Sequence, residues 1–321
     1  MIGASGFVGA AIVRAIKTHP DLAPIACMRS PSPALAAIGT ETRLCDAADP
    51  AALAKALDGV AYVVNAVLGT PVTMLAVTRN VCEAAVSVGL RRIIHLSSMA
   101  VYGPTDGVVD ETASLHPFGS YARGKARCDE VVRDFVASGG DAVVIRPGCV
   151  YGPGGEQWVG RIARWLRAGR LGELGDAADG YCNLTFNDDL AGAVIAAMVA
   201  PTAAGQIFNV ADADPGTWNQ YFVRLGHAVG ADVRPVSRLR IGLEAAALAP
   251  PLQLAKIAGR RIGIRPGSLP EPITPSLLRL WRQRIRLDSR KARTMLAFPE
   301  TSTEQGLARS ADWARSAAIG R

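Results

Sequence analysis

Short apolar runs bounded by polar turns alternate, through the first two thirds of the chain, with stretches whose apolar residues recur every third or fourth position. The runs read as strands and the periodic stretches as helices. Val8, Ile12, Val13 and Ile16 carry the helical period directly after a glycine-rich opening. Pro24–Arg29 then reads as a strand, Leu44–Asp46 as a short one, and the segment from Gly59 to Val67 as a buried one. Ala51–Leu57 and Thr73–Val88 have helical periodicity, the longer one through Leu75, Val81, Ala84, Ala85 and Val88. Arg92–Ser98 is a further apolar run, ending in hydroxyls. This alternation predicts an α/β fold, a Rossmann-type doubly wound parallel sheet with helices on both faces.

The second half is more broken. Pro250-Pro251 and the proline-rich run from Leu269 to Pro275 divide it into short helices, and Ala308–Ala318 reads as a terminal helix with Trp313 on its apolar side. The expected organisation is a nucleotide-binding domain over residues 1–170. A smaller lobe over 171–321 follows, with some segments returning to the sheet. Only Met1 and Ile2 precede the first glycine turn, so the first strand is expected to be a stub, or the true start to lie upstream, with weak stability as the consequence. Trp158, Trp165 and Trp218 are open to two readings, a pocket lining or a packed core.

Composition narrows the function classes. Hydrophobic residues make up 49% of the 321, enough for a sizeable core, and no apolar run is long enough to span a bilayer. Six cysteines stand singly and four histidines lie far apart, which fits neither a disulfide framework nor a metal site. Reduced thiols, and the absence of a leader pattern, suggest a soluble cytoplasmic protein. The net charge is +7, and between Arg234 and Arg293 there are 14 Lys/Arg against three acids. An anionic partner and an arginine-rich solvated surface both account for this excess. The aromatic interleaving of a single-strand binder is missing, so no nucleic acid is expected.

The chemistry falls at one edge of the predicted sheet. Gly3, Gly6 and Gly9, with Ser5, Phe7 and Val8 among them, form a glycine turn feeding a helix N-terminus, where backbone N–H groups and the helix dipole favour a pyrophosphate. After the second strand stand Met28-Arg29-Ser30 rather than an acid. Arg29 suits the 2′-phosphate of NADP, with NAD the alternative. Asp46 is placed to reach an adenine, and Asn65-Ala66 ends a strand on the same side. Tyr121 and Lys125 lie four apart, sharing one helical face. A neighbouring ammonium favours a phenolate, which makes Tyr121 a candidate acid/base, with Ser98 holding a substrate oxygen against it.

Leu96-Ser-Ser98-Met-Ala-Val-Tyr102-Gly103, Tyr121-x-x-x-Lys125 and Arg146-Pro-Gly-Cys-Val-Tyr151-Gly-Pro-Gly154 together resemble the extended short-chain dehydrogenase/reductases, the NAD(P)-dependent epimerase/dehydratase group. Phe186-Asn-Asp188-Asp189-Leu190 and Phe208-Asn-Val-Ala continue the likeness. The resemblance implies that Ser98 orients the substrate, Tyr121 moves a proton, and Lys125 binds the nicotinamide ribose while lowering the proton affinity of Tyr121. It also implies that Pro147 lies on the loop covering the nicotinamide, and that the family's helix pair makes a homodimer. Dehydratases of the group carry an Asp-Glu pair where this chain has Met99 and Ala100, which speaks against water elimination. Cys149 and Cys182 replace an Asn and an Arg that grip nucleotides in many relatives. Met99, Cys149 and Asn183 are the candidate substrate contacts. The expected activity is epimerisation or ketone reduction on a sugar, nucleotide-activated. The alternatives are a dehydrogenase or reductase of a non-sugar, steroid-like or flavonol-like alcohol or ketone, and a non-catalytic cofactor-binding regulator.

Overall fold

The computed structural model describes residues 1–248, 250–252 and 271–319; Leu269 and Pro270 of the proline-rich run lie outside them. The chain divides into two compact units, the first made of Met1–Val150, Leu184–Ala213 and Leu287–Ser302, the second of Tyr151–Asn183, Asp214–Arg286 and Thr303–Arg321.

In chain order the first unit opens with α1 (Phe7–Lys17), β1 (Ile25–Met28), α2 (Pro33–Ala36), β2 (Glu41–Leu44), α3 (Pro50–Ala56), β3 (Tyr62–Asn65), α4 (Pro71–Val88) and β4 (Arg92–Leu96). It continues with β5 (Gly107–Val109), α5 (Gly119–Ala137) and β6 (Ala142–Pro147). β7 (Cys149–Tyr151) runs across the boundary into the second unit, which contributes α6 (Arg161–Arg167). β8 (Leu184–Phe186), α7 (Asn187–Val199) and β9 (Ile207–Val210) then return to the first unit.

Strands β3, β4, β6 and β9 form one parallel ladder in that spatial order, and β1 pairs β2 in another. The gap between the two ladders is filled by the opening residues. Ile2 bridges Cys27 and Asn65, its N–H donating to the Val64 carbonyl at 2.9 Å while Cys27 donates to the Met1 carbonyl at 2.9 Å. The central strand is thus present as two residues, buried on both sides.

Strand β2 lies earlier than the Leu44–Asp46 run predicts. Glu-Thr-Arg-Leu is exposed except at the half-buried Arg43 and carries no apolar burial, because it pairs on one side only, at the sheet edge. α4 starts two residues before the predicted helix, at Pro71, with Thr70 accepting from the Thr73 N–H as N-cap.

Two hydrophobic clusters cover the two faces of the sheet, one built from α1 and α7 with Ile12, Val13, Leu190 and Val194, the other from α3 and α4 with Leu53, Val77 and Val81. Each such fully buried aliphatic side chain stabilises the fold by roughly 1.5–3 kcal/mol. Arg92, at the start of β4, pairs with Asp141 at 2.8 Å and donates to the Ala197 and Ala200 carbonyls at the end of α7, placing a cation at the negative end of that helix.

In the second unit Trp165, Trp218, Phe222 and Trp281 pack ring to ring with centroids 5.0–6.4 Å apart, all fully buried or nearly so. Trp165 and Trp218 are therefore core, and Trp158 is partly buried against Trp218. α8 (Trp218–Ala228) is held by a capping box between Thr217 and Gln220. Among the described residues of the basic stretch, Arg234, Arg238, Arg286, Arg290 and Arg293 each face a carboxylate, which fits the solvated-surface reading. All six cysteines are buried, and none forms a disulfide. No helix among the described residues is long and apolar enough to cross a membrane.

Candidate active site

The glycine turn is shaped by contacts that leave no room for side chains. A Cβ on Gly9 would lie 2.2 Å from the Gly3 carbonyl oxygen, and one on Gly3, at φ +78°, would lie 2.9 Å from the Ala66 oxygen. Gly6 caps α1 without a side-chain hydrogen bond, and the first turn of α1 has no acid. Bare backbone at the N-terminus of an eleven-residue helix fits the pyrophosphate of a dinucleotide. Ser5 is exposed beside it, Phe7 and Val8 half-buried. Arg29 follows β1 directly and is exposed. Asp46 is exposed as well, its carboxylate accepting from the Ala48 N–H at 3.1 Å. Asn65 ends β3 and accepts from the Val67 N–H at 3.2 Å, which fixes the turn that Ala66 presents to Gly3. Pro147 ends β6, buried and paired in register with Val210.

Ser98, one residue past the buried Ser97, caps the short turn Met99–Tyr102 by accepting from the Ala100 N–H at 3.2 Å. Tyr121, in the first turn of α5, has its hydroxyl within electrostatic reach of that of Ser98. One turn further along α5, the buried Lys125 donates from Nζ to the Leu96 carbonyl at 2.7 Å. Ser98 from the turn after β4 and Tyr121 and Lys125 from α5 thereby gather around the carboxyl end of β4.

The electrostatics differ from the sequence-based expectation in one respect. The ring of Tyr121 is 41% exposed, yet its hydroxyl end is desolvated, and this burial raises its proton affinity above the ordinary phenol value. The Ser98 hydroxyl pulls it down, and Cys149 and Asp129 push it up. Lys125 has its own proton affinity lowered by burial, against the opposing pull of Cys128 and Asp129. Burial thus works against the phenolate that a neighbouring ammonium would favour, and Lys125 is anchored on a backbone carbonyl.

Met99 is buried under the turn, and Cys149 is buried within electrostatic reach of Tyr121. Asn183 belongs to the second unit, where its amide donates to the Ile285 carbonyl at 2.8 Å.

Behind the convergence lies a buried polar network that sequence reasoning did not assign. Asp129, on α5, accepts from Arg146 Nε at 3.0 Å and faces His95 Nε2 at 3.8 Å. Arg146 donates to the Tyr102 hydroxyl at 3.0 Å, and Tyr102 to Asn209 at 2.7 Å. Burial raises the proton affinity of Asp129, Arg146 lowers it, and the guanidinium is stabilised in return. One signal was available: Asp129 stands four residues after Lys125, on the same inward face of α5.

Residues 1–211 match the model of the family described as the NAD dependent epimerase/dehydratase family. A 2'-dehydrokanamycin reductase of Streptomyces kanamyceticus is 31% identical over 73% of this chain and 67% of its own length. A 3beta-hydroxysteroid-dehydrogenase/decarboxylase (isoform 2) of Arabidopsis thaliana is 26% identical over 73% of this chain, which spans less than half, 43%, of that protein. Among solved structures, a UDP-glucuronic acid 4-epimerase from Bacillus cereus in complex with NAD superposes with a TM-score of 0.74 at 18% identity, over the whole of this chain and 97% of that one. At that identity the likeness is one of fold.

Proposed function

The chain belongs to the NAD-dependent epimerase/dehydratase family, and on that premise we propose that it is an NAD(P)-dependent oxidoreductase interconverting a hydroxyl and a ketone on a sugar ring, with Tyr121 moving the proton. The observation that carries this reading is that Tyr121 stands within electrostatic reach of the Ser98 hydroxyl at the carboxyl edge of the sheet, one helical turn from the anchored Lys125.

A bound nicotinamide supplies or accepts the hydride. The glycine turn and Asn65-Ala66 would hold the dinucleotide, with Lys125 binding its ribose and Pro147 on the loop that covers its nicotinamide. Ser98 fixes the substrate oxygen, and Tyr121 donates or accepts the proton at that oxygen. Burial favours the protonated phenol, which suits donation, the direction of ketone reduction. Met99 and Ala100 carry no proton at the places where elimination would need one, so dehydration is not among the activities proposed.

Two refinements follow. Arg29, exposed after β1, favours NADPH over NADH. The substrate is a sugar derivative, nucleotide-activated where the reaction is an epimerisation, with Met99, Cys149 and Asn183 among its contacts. A second reading, a non-sugar ketone, is favoured by the thiols of Cys149 and Cys182, which cannot grip a nucleotide as an Asn or Arg would. A homodimer through α4 and α5 and a cytoplasmic location complete the proposal.

The test is a panel of keto-sugars, nucleotide sugars and cyclic ketones with each cofactor. Net loss of NADPH absorbance on keto-sugars is expected. Turnover of a nucleotide sugar without net cofactor change marks the epimerase, oxidation of cofactor only with steroid-like ketones marks the second reading, and cofactor binding without either overturns the enzymatic reading. NADPH is expected to bind more tightly than NADH, with the gap closing in Arg29→Ala; equal affinities in the unaltered protein contradict the NADP preference.

A further inference from the structure

We infer that His95 is a positioning residue, holding Asn65 of the cofactor-cradling turn through Nδ1 and presenting its Nε2–H to Asp129, so that one buried imidazole joins the dinucleotide turn to the Lys125 end of α5. The inference rests on the proposed nicotinamide-dependent reading of the site, and goes beyond it by giving a role to buried groups that the reaction itself does not touch.

The hydrogen atoms of this network can be placed by elimination. Thr78 Oγ1 donates to the Met74 carbonyl at 2.8 Å, so it can only accept from Asn65 Nδ2, 3.3 Å away. The other side of the same amide, Oδ1, accepts from the Val67 N–H at 3.2 Å. Both contacts fix which way the amide points. Its Nδ2 therefore also faces His95 Nδ1, at 3.5 Å, as a donor, and Nδ1 is the acceptor. A neutral imidazole with Nδ1 accepting carries its hydrogen on Nε2. That hydrogen is directed towards Asp129 Oδ1, 3.8 Å away, and neither atom has a partner at hydrogen-bond distance.

The imidazole is neutral for reasons visible around it. It is fully buried, with the Lys125 ammonium on the same side, and both hold its proton affinity well below the ordinary histidine value. The groups that reach it are Asn65 from β3 and Lys125 and Asp129 from α5, with Cys128 acting on Lys125, and Ser97 and Arg146 acting on Asp129. Asp129 is the one carboxylate among them, shared between the Arg146 guanidinium and Lys125. By facing Asp129 with a hydrogen rather than a lone pair, His95 adds to the groups that favour its ionised form, Arg146, Ser97 and Lys125, and so supports the counter-charge of Lys125. On the other side, Asn65 fixes the turn whose Ala66 carbonyl would meet any side chain at Gly3. The two ends of the imidazole thus have separable duties.

The separation gives the test. In His95→Asn the shorter amide occupies the Nδ1 position, keeping its acceptor for Asn65 and losing Asp129. In His95→Gln the longer amide reaches the Nε2 position, keeping a donor for Asp129 and losing Asn65. Two readouts are followed in each: NADPH affinity by titration, and the acid limb of kcat/KM for whichever ketone the panel yields. For His95→Asn, affinity stays within about twofold while the acid limb moves up by roughly half to one pH unit, because Asp129 without its donor takes up a proton sooner. For His95→Gln, the limb stays in place and affinity falls roughly three- to tenfold, the value of one hydrogen bond. If the two readouts move together in both variants, or neither moves in either, His95 only fills space and the inference fails.

A third measurement needs no variant to fold and no substrate. In ¹⁵N-histidine NMR of the unaltered protein, one of the four imidazoles should remain neutral with its hydrogen on Nε2 from about pH 8 down to about pH 5. An Nδ1–H tautomer, or an imidazolium at neutral pH, for His95 overturns the inference. A protein that shows the expected tautomer but binds no dinucleotide refutes the proposed function instead, so the two failures are told apart.

Discussion

The most instructive residues are the buried ionisable ones, because their charge states follow from neighbours that lie far apart in sequence. His95 reads from sequence as an isolated imidazole in an apolar strand; in the structure it is buried beside Lys125 and kept neutral. This has a consequence for stability. The folded form resists a proton that the unfolded chain accepts with an ordinary histidine affinity near 6.5. Below that pH the unfolded state binds more protons, so stability falls as pH falls, at up to about 1.4 kcal/mol per pH unit from this group. Chemical denaturation between neutral pH and about pH 5 should show that loss, and His95→Asn should flatten it; an identical slope in the variant would contradict the assignment. Tyr121 teaches the complementary lesson. Its grouping with Ser98 and Lys125 was legible from spacing and the family's motifs, whereas the balance of desolvation against its neighbours depends on burial that spacing does not reveal.

At the scale of elements, the apolar pattern located β3 and β4, because strands buried on both faces read as unbroken apolar runs, whereas β6 and β9 entered only through the motifs that carry the family resemblance. It misplaced β2, an exposed edge strand with one charged residue at either side of a threonine. The glycine turn was legible from its spacing, and the structure supplies the reason for each glycine separately. Gly9→Ala would drive a Cβ to 2.2 Å from the Gly3 carbonyl oxygen, with only backbone to give way. A stability loss of about 1–3 kcal/mol or more is expected, together with weakened dinucleotide binding. Gly59→Ala is the control: its φ of +71° strains an alanine, but no atom lies within 4 Å of the new Cβ. It should cost about 1–2 kcal/mol and leave dinucleotide binding unchanged. Thermal unfolding with and without NADPH separates the two, and equal effects of both changes on binding would refute the steric account of the turn.

For the whole molecule, the sequence disclosed the sheet and the edge at which its chemistry gathers. The substrate stayed out of reach, because pocket identity depends on loops whose shape no spacing rule encodes. The proposed dimer is argued at this scale as well. Helices α4 and α5 pack on each other where Gly124 meets Pro71 and Met74, and α4 leaves Val72 and Val86 each more than three quarters exposed. Light scattering should give twice the chain mass, reduced to one chain by Val86→Arg; a monomer in the unaltered protein would remove the dimer from the account.

The central claim, that a phenol from α5 moves the proton while a nicotinamide exchanges the hydride, is tested most directly by Tyr121→Phe, followed for both NADPH binding and turnover. Removing only the hydroxyl should leave dinucleotide affinity within about twofold and cut turnover by roughly a hundredfold or more. Turnover that survives the change within a factor of about three would contradict it.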